Sequence, residues 1–206
     1  MTHIDIVTGT SELVSRERNV NAVIVERRDD VALLRLNQPQ TMNALSPAIK
    51  QGLETVVPKL MADHAVRCII ITGTDKAFCA GGDISNMADR SAPSVRERMH
   101  PSHGWVKLLL TGEKPVVAAV NGAAAGAGFS LAMRCDFVLL ADDAYFKAGF
   151  PGLGAVPDLG LALTLPRAIG MLRAKDILMT NRRVGRRGSG SSWNGYACRF
   201  GGSLAR

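Results

Sequence analysis

Three short apolar runs, separated by segments with helical patterns, constrain the fold of this chain most strongly. The runs are VRCIIITG (66–73), PVVAAV (115–120) and DFVLLA (136–141). Their composition is typical of strands that are covered on both faces of a sheet. Parallel neighbours in a sheet need a crossover connection, which a helix usually supplies. The alternation therefore predicts an α/β fold with a largely parallel sheet.

Local signals predict the other elements. AVIVERR (22–28) and VALLRLN (31–37) flank Asp29-Asp30, a pattern that predicts a hairpin with a two-residue turn. Ser46 followed by Pro47 predicts a helix start. Apolar residues then recur at helical spacing, at Ile49, Leu53, Val56, Val57 and Leu60. Further helices are predicted at about 93–110, 125–134 and 159–170.

Composition indicates an ordinary globular protein, with 206 residues, 47% hydrophobic and 21% charged. No apolar run reaches the roughly 18–20 residues of a membrane span, and the first residues lack a signal-peptide pattern. Cys68, Cys79, Cys135 and Cys198 show no paired spacing. We therefore expect a cytoplasmic protein with reduced thiols, without disulfides, a metal site or a membrane partner.

The net charge of +7 is concentrated at the C-terminus. Residues 185–206 contain four arginines, six glycines and four serines but no acid, and without them 21 basic and 18 acidic residues leave +3. We divide the chain into an N-terminal arm (1–21), a core domain (22–184) and a basic Gly/Ser/Arg tail (185–206). Because the charge lies mostly in the tail and aromatic residues make up only 5%, the sequence does not favour nucleic-acid binding.

Two turns rich in small residues are the candidate site. FCAGGDI (78–84) and NGAAAGAGFSLA (121–132) each follow a buried strand and lead into a helix. Small residues there could serve packing alone. Alternatively, unpaired backbone N–H groups from the two turns could form an oxyanion hole for a carbonyl oxygen. GAAAGAG also partly matches a dinucleotide fingerprint, but the signal is weak because the segment lies late in the chain.

Taken together, the motifs resemble those of the crotonase superfamily, the enoyl-CoA hydratases and isomerases. The resemblance runs from about residue 22 to 184. It rests on four motifs in the family order: LNQPQTMNALS, IIITGTDKAFCAGGDI, KPVVAAVNGAAAGAGFSLAMRCDF and GLGAVPDLGLALTLPRAIG.

The resemblance implies a spiral of ββα units that binds an acyl-CoA thioester as substrate and uses no separate cofactor. It places the two oxyanion donors at the N–H groups of Gly82 and Ala127. The residues implied to line the coenzyme A channel are Met42, Ala44, Ala80, Asp83 and Ile84, with Lys76 near the phosphates.

The sequence departs from the hydratase pattern at both catalytic glutamates. Ser130 stands at one position, and an ungapped alignment places Phe150 at the other. Asp158 instead falls where some superfamily isomerases carry a catalytic aspartate. Asp158 could also simply cap the helix predicted near Leu159. The resemblance therefore favours double-bond isomerisation, with Ser130 and Phe150 in the substrate pocket.

Family members continue after residue 184 with an acidic, alanine-rich helix and further helices, which cover the acyl pocket and help to build a trimer or a dimer of trimers. The tail from Gly185 differs in kind, so these C-terminal helices are expected to be missing or replaced. With suitably chosen codons, a one-base shift converts the tail into an acidic, alanine-rich segment. We interpret it as a frameshift product. Hydration in fatty-acid degradation and non-catalytic CoA binding by a truncated chain stay open as alternatives.

Overall fold

A computed structural model describes residues 22–83, 91, 93–94, 96 and 102–185. The predicted arm and all of the tail except Gly185 lie outside these residues. The predicted hairpin is confirmed: β1 (Val23–Arg28) pairs antiparallel with β2 (Val31–Leu36). Asp29 in its turn has a φ of 54°, a conformation that Asp tolerates better than most side chains.

The three apolar runs form the predicted parallel strands. They are β3 (Cys68–Gly73), β5 (Val116–Val120) and β7 (Phe137–Leu140), in a sheet ordered β1-β2-β3-β5-β7. All neighbours after the hairpin are parallel. Alternate residues of β2 are buried and partly exposed, and Ile70 of β3 is also partly exposed. One face of the sheet is therefore covered more fully than the other, whereas we expected cover on both.

A second sheet of short strands was not predicted from local patterns. It contains β4 (Ala77–Cys79), β6 (Ala123–Ala125), β8 (Tyr145–Lys147) and β9 (Val184–Gly185), in that order. β4, β6 and β8 run parallel, and β9 joins β8 antiparallel. Gly185, which we placed in the tail, is thus the last residue of a strand.

The two sheets are built by a repeating step. β3, β5 and β7 of the first sheet are each followed, within a few residues, by β4, β6 and β8 of the second. After β6 the chain enters a helix, so that successive strand pairs stack beside one another. This arrangement is the spiral of ββα units that the resemblance implied.

Three of the helices begin close to their predicted starts, at Pro47, Ala127 and Leu161, whereas the helix that begins at Met171 was not predicted. They are α1 (Pro47–Ala62), α2 (Ser102–Thr111), α3 (Ala127–Ala132), α4 (Leu161–Ile169) and α5 (Met171–Thr180). Single 3₁₀ turns occupy Pro39–Thr41 and Pro151–Leu153. α3 is shorter than the predicted 125–134 because Ala125 belongs to β6. The predicted helix at 93–110 lies partly outside the described residues.

Helix α1 shows how the local signals produce packing. The Ser46 hydroxyl accepts a hydrogen bond from the Ile49 N–H at 3.2 Å, which satisfies one of the unpaired donors of the first turn. The five apolar positions predicted for this helix, Ile49, Leu53, Val56, Val57 and Leu60, are all buried. They pack against β1 and α2, so the apolar face of α1 closes one side of the first sheet.

Helix α3 approaches β4 so closely that no side chain fits between them. A Cβ added to Gly128 would lie 2.1 Å from the Cys79 carbonyl oxygen. Since that atom belongs to the backbone, a strand or a helix would have to move to admit a methyl group. The small residues of this turn therefore do serve packing.

We expect Gly128→Ala to lower the free energy of unfolding by about 1–3 kcal/mol, because the added methyl overpacks the contact with β4. Gly104 in α2 is the matched control, since a Cβ there meets nothing within 4 Å. Gly104→Ala should raise stability by about 0.5–1 kcal/mol through helix propensity. Urea titration of both variants measures these changes. Equal stability of the two would show that α3 does not need a glycine against β4.

Candidate active site

A buried asparagine organises the loop before α1. Asn43 is fully buried, and its Oδ1 accepts a hydrogen bond from the Gln38 N–H at 2.9 Å. Its Nδ2 donates to the carbonyl oxygens of Thr74 and Ala77 at 2.9 and 2.8 Å. These bonds tie the MNAL segment to the turn between β3 and β4, so one side chain joins two loops that are distant in sequence.

The same loop aligns the AGGD segment. The Ala80 N–H donates to the Met42 carbonyl at 3.0 Å, and the Leu45 N–H donates to the Gly81 carbonyl at 2.7 Å. Leu45 and Gly82 form a parallel bridge. Within the described residues, the Gly82 N–H has no hydrogen-bond partner. The segment is thus held along its length while the predicted donor is left unpaired.

The two turns rich in small residues lie in contact. Gly81 has a φ of +108°, and a Cβ added to it would lie 2.8 Å from the Ala125 carbonyl oxygen and 3.4 Å from the Ala127 nitrogen. Any side chain at Gly81 would therefore strain the backbone and push the turns apart. The fold brings the predicted donor segments together at this contact.

Ala127 is the first residue of α3 and is buried. The first hydrogen bond of that helix runs from the Ser130 N–H to the Gly126 carbonyl at 3.0 Å. Among the described residues, the Ala127 N–H has no hydrogen-bond partner, as is usual at a helix start. Two unpaired backbone donors consequently occur on adjoining segments.

Asp158 lies between the second 3₁₀ turn and α4, and its carboxylate reaches α3. The Ser130 hydroxyl is within hydrogen-bond range of Asp158 Oδ1, at 3.4 Å, and of the Gly126 carbonyl, at 3.2 Å. The hydroxyl carries one proton, so it donates to one of these acceptors at a time. Ser130 is fully buried, and the carboxylate is therefore joined to the interior of the site.

Burial raises the pKa of the Asp158 carboxyl above its ordinary value. The hydrogen bond from Ser130 and the positive charge of Lys50 oppose that rise in the pKa. The helix-cap interpretation of Asp158 is wrong: the N-cap of α4 is Gly160, and no side chain caps it.

A buried thiol also lies near this carboxylate. Burial raises the pKa of Cys79 to about 12, and the negative charge of Asp158 contributes to the rise. The Cys79 thiol is therefore neutral at physiological pH. Cys79 ends β4 directly before the AGGD segment, and the backbone of Gly128 in α3 lies against it.

The other predicted site residues differ in exposure. Phe150 is buried, directly after Gly149, which adjoins Gly126. The residues assigned to the coenzyme A channel lie on the two paired loops: Met42 is exposed, Ala44 is buried, and Ala80 and Asp83 are partly buried. Lys76 is exposed in the turn between β3 and β4. Ile84 lies outside the described residues.

Sequence reasoning did not single out Asn43, Gly81 or Lys50. Asn43 was quoted only as part of a motif, although an asparagine inside a run otherwise apolar, MNAL, is a signal for a buried polar tether. No local signal could have identified the charge of Lys50 near Asp158.

The described residues contain neither a cluster of metal ligands nor a helix suited to a membrane. No group of three His, Cys, Asp or Glu side chains in them could hold a metal ion. No helix in this part of the chain is long and apolar enough to cross a bilayer. Cys68, Cys79 and Cys135 are free thiols, and Cys198 lies outside the described residues.

Comparison with known proteins places this geometry in a family. The family model for enoyl-CoA hydratase/isomerase matches residues 26–188. A crotonyl-CoA hydratase of Syntrophomonas wolfei is 41% identical over 159 residues, which are 77% of this chain and 61% of the relative. The chain thus spans about 61% of the length of this curated relative.

Solved structures share the fold. An enoyl-CoA hydratase from Bacillus anthracis aligns with a TM-score of 0.75 at 32% identity, over 79% of this chain and 64% of that one. A monofunctional enoyl-CoA isomerase from M. smegmatis aligns with a TM-score of 0.66 at 35% identity, over 81% and 71%. The fold is that of crotonase-type enzymes, and the chain belongs to the enoyl-CoA hydratase/isomerase family.

Proposed function

We propose that this protein isomerises the double bond of an enoyl-CoA thioester rather than adding water to it. The observation that carries the proposal is the 3.4 Å contact between Ser130 Oγ and Asp158 Oδ1, which joins the carboxylate to the helix that begins at Ala127. Ser130 and Phe150 stand where a hydratase would need its two carboxylates, and both are buried. Asp158 is then the carboxylate available to move a proton.

In the proposed reaction, the thioester oxygen accepts hydrogen bonds from the N–H groups of Gly82 and Ala127. These bonds stabilise the enolate that forms when a proton leaves the carbon next to the carbonyl. The Asp158 carboxylate takes that proton from C2 of a 3-enoyl thioester, and the electron pair spreads over the dienolate. The resulting carboxylic acid returns the proton to C4, giving the 2-enoyl isomer with no net exchange of atoms.

The environment of Asp158 suits both halves of this cycle. Its raised pKa, caused by burial, makes the carboxylate a better base than an exposed aspartate and stabilises the acid that carries the proton. The Ser130 hydroxyl keeps one oxygen of the carboxylate oriented toward α3. No cofactor takes part, because coenzyme A is a portion of the substrate.

Substrate binding is assigned to the loops that hold the AGGD segment. Met42, Ala44, Ala80, Asp83 and Ile84 would line the coenzyme A channel, and exposed Lys76 could meet the phosphates. Ser130 and Phe150 would contact the acyl chain. A cytoplasmic location forms part of the same proposal.

We also assign a homotrimer, or a dimer of trimers, to the intact form of the family. Exposed large apolar side chains on α4 and α5 are consistent with a covered surface in such an assembly. They are Leu163, Met171, Leu172 and Met179.

Two other functions have some support. Hydration is favoured by the 41% identity to a protein named crotonyl-CoA hydratase. Non-catalytic CoA binding is favoured by the 61% span of that relative. Formation of a 3-hydroxyacyl product would identify the first. Calorimetric binding of CoA without turnover of 2-enoyl or 3-enoyl thioesters would identify the second.

We expect Asp158→Asn to lower kcat for isomerisation of 3-enoyl-CoA by at least about 100-fold, because the amide cannot accept the proton. The conversion is followed by chromatography of the two thioester isomers. Asp143→Asn is the matched control, since Asp143 is exposed in the turn before β8, and it should leave kcat unchanged. Unaltered turnover in the Asp158 variant would remove this residue from the mechanism.

The same substitution should also change how the stability of the fold depends on pH. Because burial raises the folded-state pKa of Asp158, its contribution to stability is complete at acid pH and is lost as the pH rises through that pKa. Asp158→Asn should therefore be more stable than the wild type at neutral pH, and the two should converge in acid. A loss of both activity and stability would instead indicate a damaged fold.

We expect Ser130→Ala to lower kcat on the order of 10-fold and to move the acidic limb of the kcat/KM pH profile to higher pH. The Ser130 hydrogen bond lowers the pKa of Asp158, so its loss leaves the base protonated up to a higher pH. Thr55→Ala removes a comparable hydroxyl bond, to the Gln51 carbonyl, on the exposed side of helix α1 and should leave the profile in place. An unshifted limb in the Ser130 variant would contradict the contact.

A further inference from the structure

The segment that carries Asp158 has few attachments to the rest of the molecule. Residues 151–156 are exposed, and the turn at 157–160 is partly buried. Among the described residues its backbone hydrogen bonds are local, such as the bond from the Leu161 N–H to the Asp158 carbonyl at 3.0 Å. In the described part of the chain, its polar tethers to other elements come from Ser130 and Arg134.

The conformation of this turn is unusual for its sequence. Leu159 has a φ of +42° and Gly160 a φ of +79°, so two successive residues occupy the left-handed region. A leucine in this region is strained, because its Cβ comes too close to the backbone. Such a backbone persists only where surrounding contacts determine it, and apolar packing of Leu159 against the core supplies one of them.

The Arg134 side chain supplies the polar contact. Its Nε donates a hydrogen bond to the Leu159 carbonyl. Its Nη2 lies where it would be 2.5 Å from a Cβ added to Gly160, so the guanidinium packs on both left-handed residues. Arg134 follows Met133, the C-cap of α3, and Ser130 lies within α3, so the turn is held by two side chains that are close in sequence.

Partial burial of the Arg134 charge is unfavourable, which indicates that its contact with the turn is specific. Burial lowers the pKa of the Arg134 guanidinium, and among the described residues no carboxylate lies within ion-pair distance of it. A cation that serves only solubility would turn to solvent. The charge of Lys50 lowers the pKa of Asp158, whereas the contacts of Arg134 are with the backbone of the Leu159–Gly160 turn.

We propose that Arg134 is a positioning residue, which fixes the strained Leu159–Gly160 turn and thereby aims the Asp158 carboxylate at the substrate. This inference rests on the proposed isomerase function for its catalytic consequence. The role of Arg134 in holding the turn does not depend on that function.

The kinetic test compares Arg134→Met and Arg134→Lys with the wild-type chain. Arg134→Met should lower kcat on the order of 10- to 100-fold with KM unchanged, because a misplaced base slows proton transfer without weakening thioester binding. Arg134→Lys, which keeps one donor, should recover part of the loss. The acidic limb of the pH profile should stay in place, whereas Lys50→Met should move it to higher pH.

Hydrogen exchange tests the positioning without reference to activity. In Arg134→Met the Leu161 amide should exchange faster, while amides of β3 and β5 exchange as in the wild type. If the wild-type chain isomerises no thioester but this local change occurs, the proposed function fails and the positioning role stands. Unchanged Leu161 exchange, or a uniform increase over the whole core, would overturn the role of Arg134.

Discussion

The contact between two turns made of small residues is the constraint on which the site depends. Gly81 lies against Ala125 and Ala127, and Gly128 lies against Cys79, so backbone meets backbone where most folds place side chains. The cost is a loss of apolar packing at that point. The gain is that two unpaired N–H groups lie on adjoining segments, and the proposed function assigns both of them to an enolate oxygen.

Hydrogen bonds from neighbouring loops hold the two turns in contact. Asn43 fixes the loop that pairs with AGGD. Asn121 does the same for the second turn, because its Oδ1 accepts from the Gly73 N–H at 3.0 Å. Each of these side-chain amides, Asn43 buried and Asn121 partly buried, joins chain segments at the ends of different strands and so helps to hold the two turns in place. Asp158 approaches from a third segment that Ser130 and Arg134 tether.

Much of the fold was predictable because its signals are local. Long apolar runs identify β3, β5 and β7, and Ser46-Pro47 with a helical apolar pattern identifies α1. The three-residue strands β4, β6 and β8 were missed, since a period of two cannot be recognised over so few residues. The same distinction holds for the site. The motif resemblance predicted Gly82, Ala127 and Asp158. The hydrogen bond from Arg134 to the Leu159 carbonyl joins residues distant in sequence, and no local pattern predicts it.

The central claim is that one carboxylate moves a proton within the substrate and that no water is added. The most direct measurement is incubation of the 206-residue chain with a 3-enoyl-CoA thioester in oxygen-18-labelled water, followed by mass analysis of the products. We predict the 2-enoyl isomer at the mass of the starting thioester, without the heavy oxygen. A 3-hydroxyacyl-CoA carrying the label as the main product would contradict the account.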